Sequence, residues 1–312
     1  MKRIALPFMA LILALMGCTP QPGLIILHAG SLAVPLDQAA AAFEELNPGV
    51  TIVTESAGSR TTARKVTELG KLADVVAVSD YTVIEDLMFP DYADWYIWFA
   101  RNEMVVAYTE RSKFGDEIDG GNWYQILLRD DVQYGHSNPD FDPAGYRTLM
   151  LWQLAEIYYD EPGLYDDLDA GRPLENIRPK ETDLIALQQA GELDYAFQYR
   201  SVAQQHGLEF VELPPEINLS RPEFADFYGT AQVEVSGAEP GETVTYRGRP
   251  IIYGVTIPQD APHPDLAIAF LKFLLGPRGQ AIMAENGQPP IVPAIASDPM
   301  KLPQELKQFV LP

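Results

Sequence analysis

The stretch Leu24-Ile25-Ile26-Leu27-His28 is an apolar run that leads through Ala29-Gly30-Ser31-Leu32 into a helical pattern over residues 36–46. The apolar run predicts a buried β-strand, and Gly30 permits a tight turn directly after it. Ser31 supplies a hydroxyl donor in that turn, and Pro35 suits a first helical turn. A strand, a short turn and a helix in this order form the repeating unit of α/β proteins with a mostly parallel sheet.

The same unit recurs along the chain, in two blocks. Strands are predicted over residues 24–28, 50–54, 74–79, 104–108, 132–136, 194–199 and 251–257. Helices are predicted over residues 36–46, 61–72, 81–88, 145–159, 182–190, 266–275 and 279–284. A hairpin is predicted over residues 233–235 and 243–246, around Pro240-Gly241. The pattern predicts an α/β fold of two lobes.

The lobe boundaries follow from where the chain leaves the first block and returns to it. We predict that residues 24–108 and 251–312 form lobe 1 and that residues 109–250 form lobe 2. Two linking segments would then run between the lobes at a hinge. This arrangement suits the capture of a ligand by closure of two domains over a cleft.

Composition excludes several classes of function. The 312 residues include 22 Lys and Arg against 44 Asp and Glu, which gives a formal net charge of −22. Such an acidic chain is not expected to bind nucleic acid or an anionic membrane surface by charge. The single cysteine, Cys18, excludes a disulfide framework and a cysteine-based zinc site. A hydrophobic content of 47% excludes wholesale disorder.

The N-terminus has the pattern of an export signal. A positively charged start precedes an apolar run over residues 4–16, which is shorter than a membrane span requires. Leu15-Met16-Gly17-Cys18 resembles a lipobox, in which the cysteine becomes the lipidated first residue. We therefore predict a signal peptide over residues 1–17, a tether over residues 18–23, and a lipid anchor at the outer face of the cell membrane. The alternative is a plain signal peptide in which Cys18 is incidental.

Small and hydroxyl-bearing residues mark several predicted turns between strands and helices. In open α/β sheets, ligands bind beyond the carboxyl ends of the strands, where free N–H groups and helix dipoles favour an anion. The alternative is that these residues are ordinary helix caps and turns. The turns in question cover residues 28–32, 55–61, 137–145, 178–181 and 200–201.

Taken in order along the chain, these turns and their neighbouring segments resemble one protein family. Segments 29–32, 56–60, 142–147, 177–181, 194–203 and 212–219 together look like the archaeal-type tungstate/molybdate-binding proteins of ABC importers. The resemblance covers nearly the whole mature chain. It implies a type II periplasmic-binding-protein fold, with an oxyanion in the cleft between two α/β lobes. It also implies a non-enzymatic monomer that needs no cofactor and delivers tungstate or molybdate to a permease and its ATPase.

The resemblance assigns four hydrogen-bond donors to the oxyanion. Ser31 and Ser59 would donate from their hydroxyl and backbone N–H groups. Ala144, which follows Pro143 at a helix start, would supply a backbone N–H. Tyr199, at the end of the strand Asp194-Tyr195-Ala196-Phe197-Gln198-Tyr199, matches a tyrosine that faces the ligand.

The resemblance also implies two carboxylates that coordinate the metal, Asp142 and Glu181, although the alignment allows Asp183 in place of Glu181. A carboxylate normally repels an oxyanion. A hexavalent tungsten or molybdenum centre differs from sulfur or phosphorus because it accepts further oxygen ligands, and carboxylate oxygens suit a hard metal. Two such acids would select for tungstate and against sulfate. The alternatives are an ordinary helix cap at Asp142 and a solvated first-turn acid at Glu181.

Other functions remain open at this point. The chain could bind another oxyanion such as sulfate or phosphate. It could be an exported hydrolase that uses Asp142 and Glu181 as an acid/base pair, or a structural surface lipoprotein. The sequence contains neither a GxSxG motif nor a P-loop, so an ATPase partner would be a separate chain.

Overall fold

The repeated strand–turn–helix units build two β-sheets flanked by helices in the computed structural model, which describes residues 23–237 and 241–312. The strands are β1 Gly23–Ala29, β2 Thr51–Ala57, β3 Val75–Val78, β4 Ile97–Arg101, β5 Met104–Tyr108, β6 Tyr134–Ser137, β7 Ile177–Arg178, β8 Tyr195–Tyr199, β9 Glu209–Glu212, β10 Gln232–Ser236, β11 Thr243–Arg247, β12 Ile252–Thr256 and β13 Pro290–Ala296. The helices are α1 Ala33–Leu46, α2 Ser59–Thr67, α3 Thr82–Met88, α4 Trp123–Leu127, α5 Pro143–Tyr159, α6 Leu164–Gly171, α7 Leu184–Ala190, α8 Arg200–Gln205, α9 Ala225–Tyr228, α10 Pro264–Leu274 and α11 Pro277–Glu285.

The first lobe is built on a six-stranded sheet with the order β13-β4-β12-β3-β1-β2. β1 is parallel to both β2 and β3, whereas β12 is antiparallel to β3 and β4. Leu24, Ile26 and Leu27 of β1 are fully buried, as their run predicted, whereas Ile25 is half-buried. Phe43 of α1 packs edge-on against Phe270 and Phe273 of α10, with ring centroids 5.6 and 5.7 Å apart. This sheet carries the turns that follow β1, β2 and β3 into the cleft.

The second lobe is built on a five-stranded sheet with the order β7-β6-β8-β5-β9. β6 is parallel to β7 and β8, and β5 is antiparallel to β8 and β9. The buried Trp152 of α5 packs edge-on against Phe197 of β8 at 5.5 Å. Gly145 lets the start of α5 approach β6, because a Cβ there would lie 2.2 Å from the carbonyl oxygen of Ser137. The parallel strands of this sheet thus also end at the cleft.

The chain passes from the first sheet to the second at Asn102 and Glu103, between β4 and β5. Strand 104–108 was predicted in lobe 1, but as β5 it pairs with β8 and β9 in the second sheet. The reason lies in β4, which the sequence analysis did not recognise as a strand. β4 takes the sheet position beside β12, so the next apolar run is free to enter the other sheet. The chain returns to the first sheet with β12.

The predicted α/β class is confirmed, and most predicted helices and strands lie within a few residues of the observed ones. The hairpin forms as β10 and β11, which pair antiparallel, while its turn residue Pro240 lies outside the described residues. The signal peptide, Cys18 and most of the tether also lie outside them. Within residues 23–237 and 241–312, no single helix is long and apolar enough to cross a membrane; α10 and α11, bent by 64°, meet that requirement only as a pair.

Candidate functional site

The turns predicted to hold an anion meet where the two sheets face each other. The first lobe contributes Ser31, after β1, and Ser59, which opens α2 after β2. The second lobe contributes Asp142 before α5, Glu181 after β7 and Tyr199 at the end of β8. Each of these side chains is buried, with no residue more than 3% exposed. The five residues thus form one internal polar region between the lobes.

The carboxyl group of Asp142 is bound by the backbone of Glu181. The N–H of Glu181 donates to Oδ2 of Asp142 across 2.9 Å. Asp142 has an extended backbone and is followed by Pro143, which begins α5. Glu181 begins the 3₁₀ turn Glu181–Asp183. Its Oε2 is buried and has no hydrogen-bond partner among the described residues, so the site contains a free acceptor oxygen.

Burial shifts the protonation of both acids in the same direction. Desolvation raises the pKa of Asp142 to about 6. Hydrogen bonds from the backbone N–H groups of Glu181 and Ala144 and from the hydroxyl of Ser137 lower this pKa, but they do not offset the desolvation. Desolvation and the neighbouring charge of Asp142 raise the pKa of Glu181 well above its usual range. The hydrogen bond from Ser31 and the positive charges of Arg147 and Lys180 lower this pKa, but by less. The ionised forms of this pair therefore lack a compensating positive group at contact distance.

Asp183, the other candidate for the second carboxylate, lies elsewhere. Its side chain is 33% exposed and sits 3.9 Å from Nζ of Lys180. Glu181, by contrast, points inward beside Asp142. Among residues 23–237 and 241–312, no group of three or more His, Cys, Asp and Glu side chains could hold a metal ion by itself. A metal would thus need oxygen atoms of its own in addition to these two carboxylates.

The serine hydroxyls are oriented by neighbouring donors. The hydroxyl of Tyr253 donates to Oγ of Ser31 at 2.9 Å, and the side chain of Gln288 donates to its carbonyl oxygen at 2.7 Å. The backbone N–H of Ser79 donates to Oγ of Ser59 at 3.0 Å. The hydroxyl of Ser31 also contacts the carboxyl group of Glu181, and Oγ of Ser59 lies 3.0 Å from Oγ of Ser79. Each hydroxyl therefore has a partner on the protein and would turn from it to donate to a ligand.

Ala144 and Tyr199 complete the predicted donor set. Ala144 is the second residue of α5 and is fully buried, so its N–H lies in the first turn, where no intrahelical acceptor exists. The hydroxyl of Tyr199 accepts from the guanidinium of Arg147 and lies 3.4 Å from Oγ of Ser79. These groups offer neutral donors of the kind that suit an oxyanion.

The lobes touch each other around this region. The N–H groups of Arg60 and Thr61, in the first turn of α2, donate to the carbonyl oxygen of Phe141 at 3.1 and 3.3 Å. Gly58 permits this approach, since a Cβ there would lie 2.4 Å from the same oxygen. Nζ of Lys180 donates to Oγ of Ser56 at 3.2 Å. The structure therefore represents a closed arrangement of the two lobes.

Sequence reasoning missed four polar residues that the structure brings to the site: Ser79, Asp80, Arg147 and Tyr253. Ser79 and Asp80 follow β3 and precede α3, so the same strand–turn–helix pattern could have identified them. Arg147 lies within a segment that carries the family resemblance. Tyr253 lies on the antiparallel strand β12, and no local pattern marks it.

Two known proteins are similar to this chain over most of its length. The molybdate/tungstate-binding protein WtpA of Pyrococcus abyssi is 44% identical over 314 residues, which cover 92% of this chain and 89% of that protein. An uncharacterized solute-binding protein of Petrotoga mobilis is 55% identical over 287 residues, with the same two coverages. These alignments confirm the resemblance inferred from the sequence.

The fold is confirmed by a solved structure. The periplasmic molybdate-binding protein of Azotobacter vinelandii superposes with a TM-score of 0.62 at 19% identity, and the match covers 85% of this chain and 98% of that one. Its likeness supports a two-lobed, type II periplasmic-binding-protein architecture. The family model described as bacterial extracellular solute-binding protein matches residues 24–288. This chain therefore belongs to the family of bacterial extracellular solute-binding proteins.

Proposed function

We propose that this protein binds tungstate or molybdate between its two lobes and delivers the oxyanion to the permease of an ABC importer. The observation that supports this function most directly is the pairing of two buried carboxyl groups, Asp142 and Glu181, opposite hydroxyl donors of the other lobe. The 44% identity to a molybdate/tungstate-binding protein supports the same ligand class.

In this proposal the donors and the carboxylates bind different parts of the ligand. Ser31, Ser59, Ala144 and Tyr199 donate hydrogen bonds to the oxyanion oxygens. Asp142 and Glu181 coordinate the metal through carboxylate oxygens, which are suitable ligands for a hard metal centre. Coordination gives the ionised pair the positive partner that it lacks in the protein alone.

Sulfate and phosphate are the competing ligands within the same class. Neither has a central atom that accepts further oxygen ligands, so either anion would bind against the charge of the two acids or at the cost of protonating both of them. The orphaned Oε2 of Glu181 favours the metal oxyanions, because a metal centre gives this oxygen a partner and the central atom of sulfate does not. We therefore rank sulfate and phosphate below tungstate and molybdate.

Calorimetric titration of the purified mature protein with tungstate, molybdate, sulfate and phosphate tests the proposal. Asp142→Ala and Glu181→Ala are expected to weaken tungstate binding at least about tenfold, since each removes a metal ligand. Asp183→Ala is the matched control, because it removes a neighbouring, partly exposed acid; its affinity is expected to stay within about twofold. Unchanged affinity in both Asp142→Ala and Glu181→Ala would refute the coordination model.

We further propose that the chain is exported, cleaved before Cys18 and held at the membrane by a lipid on that cysteine. Cys18→Ser is expected to release the protein from the membrane fraction, as measured by cell fractionation and mass spectrometry of the mature N-terminus. Retention of the variant on the membrane would contradict the anchor.

The protein is also proposed to act as a monomer without a cofactor or catalytic activity. Light scattering measures its oligomeric state, and hydrolase assays test whether Asp142 and Glu181 act as a catalytic pair.

A further inference from the structure

A buried ion pair connects the two lobes beside the proposed site. Nη2 of Arg147, on α5 of the second lobe, lies 3.0 Å from Oδ2 of Asp80, in the turn after β3 of the first lobe. The two side chains are only 2% and 5% exposed. A charge pair this deeply buried needs additional hydrogen bonds to offset the loss of hydration.

Those hydrogen bonds are present on both sides of the pair. Oδ2 of Asp80 accepts from the hydroxyl of Tyr146 at 2.7 Å, and Oδ1 accepts from the N–H and hydroxyl of Thr82 at 3.1 and 2.8 Å. Nη1 of Arg147 donates to the carbonyl oxygen of Ser79 at 2.8 Å and to the hydroxyl of Tyr199. Burial would raise the pKa of Asp80, but Arg147, Arg249 and these hydroxyls hold it below its usual range.

The same guanidinium contacts the supports of two proposed oxyanion donors. It holds Ser79, whose N–H donates to Oγ of Ser59, and it also contacts Tyr199 directly. Because arginine can only donate, the oxygen of Tyr199 must accept from it. The tyrosine proton then points away from Arg147, toward Oγ of Ser79 at 3.4 Å. One side chain of the second lobe thereby orients a donor on each lobe.

We propose that Arg147 is a positioning and specificity-determining residue of the oxyanion site, and that its pair with Asp80 forms only when the lobes close. This inference rests on the proposed function. Arg147 places a positive charge near Asp142 and Glu181 without acting as a ligand, so a dianion can enter beside two acids. Asp80, in turn, fixes the guanidinium to the first lobe.

The physical consequence concerns the closed state selectively. When the lobes separate, both charges regain water, so loss of one partner costs little in the open form. In the closed form the remaining charge stays buried without its partner at contact distance, and only more distant charges face it, such as Arg249 for Asp80, which is unfavourable. Removing one partner therefore shifts the equilibrium toward the open form, and bound ligand leaves faster because the closed complex is less populated.

The test compares Arg147→Met, Arg147→Lys, Asp80→Asn and the double variant Asp80→Asn/Arg147→Met with the unmodified mature protein. Asp169→Asn is the matched control, because it breaks the 2.6 Å contact of another buried arginine, Arg172, within the second lobe alone. Tungstate affinity and dissociation rate are measured by stopped flow, and lobe closure by the change in X-ray scattering radius on adding tungstate.

We expect Arg147→Met and Asp80→Asn to bind tungstate at least about tenfold more weakly, mainly through faster dissociation, and to compact less on binding. Arg147→Lys should recover part of the affinity because it keeps the charge, and the double variant should lose less than the sum of the single losses. Asp169→Asn should match the unmodified protein. Urea unfolding shows which variants fold. If Arg147→Met does not fold, the comparison of Asp80→Asn with Arg147→Lys still tests the proposal.

Different results would refute the proposed function and the positioning role of Arg147. If the unmodified protein does not bind tungstate, the proposed function is wrong. If it binds tungstate while the folded Arg147 and Asp80 variants keep the same affinity, dissociation rate and compaction, the proposed function stands and the positioning role is refuted. Equal losses in these variants and in Asp169→Asn would also refute it, because the effect would then not depend on a contact between lobes.

Discussion

The backbone N–H of Glu181 donates to Oδ2 of Asp142 across 2.9 Å, which links two acids that lie 39 residues apart in the chain. Each acid stands at the carboxyl end of a strand in the second sheet, Asp142 after β6 and Glu181 after β7. Parallel pairing of β6 and β7 brings those ends together. The fold thus places two carboxyl groups side by side in a buried region, where both resist ionisation in the absence of a cation.

The buried pair Asp142 and Glu181 is expected to contribute less to the stability of the ligand-free protein as the pH rises above about 4. Burial raises the pKa of Asp142 from 3.8 to about 6, so the folded state binds more protons than the unfolded state between these values. A shift of this size corresponds to about 3 kcal/mol of unfolding free energy, lost as the pH rises through that window. The raised pKa of Glu181 extends the decline to higher pH.

Urea unfolding at a series of pH values measures this effect, and variants isolate it from the other acids. Asp142→Asn and Glu181→Gln should each show a smaller decline than the unmodified protein. Asp183→Asn is the control, since this neighbouring acid is 33% exposed and lies outside the buried pair; its profile should match that of the unmodified protein. Identical pH profiles for all four proteins would show that the buried pair does not titrate as described.

Closure of the lobes is expected to depend on the absence of a side chain at Gly58. In Gly58→Ala the new Cβ would lie 2.4 Å from the carbonyl oxygen of Phe141, a backbone atom of the other lobe. Overpacking of this kind costs about 1–3 kcal/mol, which corresponds to about a 5- to 150-fold loss of tungstate affinity. The measurement is calorimetric titration.

Gly121→Ala is the control for Gly58→Ala, because its nearest contact would be a flexible Asp119 side-chain oxygen at 3.4 Å. Its affinity should be unchanged. A Gly58→Ala protein that binds tungstate as tightly as the unmodified protein would mean that the ligand-bound form does not bring Gly58 and Phe141 together.

The hairpin β10–β11 is expected to stabilise the folded protein through Arg60. This buried side chain donates to the hydroxyl of Tyr246 at 2.6 Å, and its guanidinium lies 5.4 Å from the centre of that ring. Tyr246→Phe removes an acceptor for a charged donor and should lower the unfolding free energy by about 1.5–3 kcal/mol in urea titrations. Tyr158→Phe, on the exposed surface of α5, should change it by less than about 0.5 kcal/mol.

Local patterns predicted much of this molecule because its units are local. The run from Leu24 to His28 and the turn through Ser31 identify a buried strand and the turn that follows it without any tertiary information. Asp142 and Glu181 were identified through a family resemblance, while burial and the hydrogen bond between them come from sheet pairing. The close placement of Ser59 and Tyr199 from opposite lobes likewise required the complete fold.

What could not be predicted depends on contacts between distant segments. β4 was missed because its aromatic residues gave no strand alternation, and only its position beside β12 explains why β5 joins the other sheet. The link from Arg147 to Asp80 joins residues 67 positions apart on different lobes. No spacing rule within one helix or strand indicates such a pair, since its geometry exists only after both lobes fold and close.

Discrimination between tungstate and sulfate is expected to depend on the charge of Asp142 and Glu181. The double variant Asp142→Asn/Glu181→Gln keeps the size of both side chains but removes two negative charges and the ability to coordinate a metal strongly. Tungstate affinity should fall, whereas sulfate should gain because two repulsive charges are gone. The ratio of the two dissociation constants, measured by competition calorimetry, should narrow by at least about tenfold.

Glu55→Gln controls for a general change in charge, since this acid sits on β2 of the first lobe and pairs with Lys65 at 2.8 Å. If the double variant kept the original ratio, shape and neutral donors alone would account for selectivity, and the carboxylates would have another role.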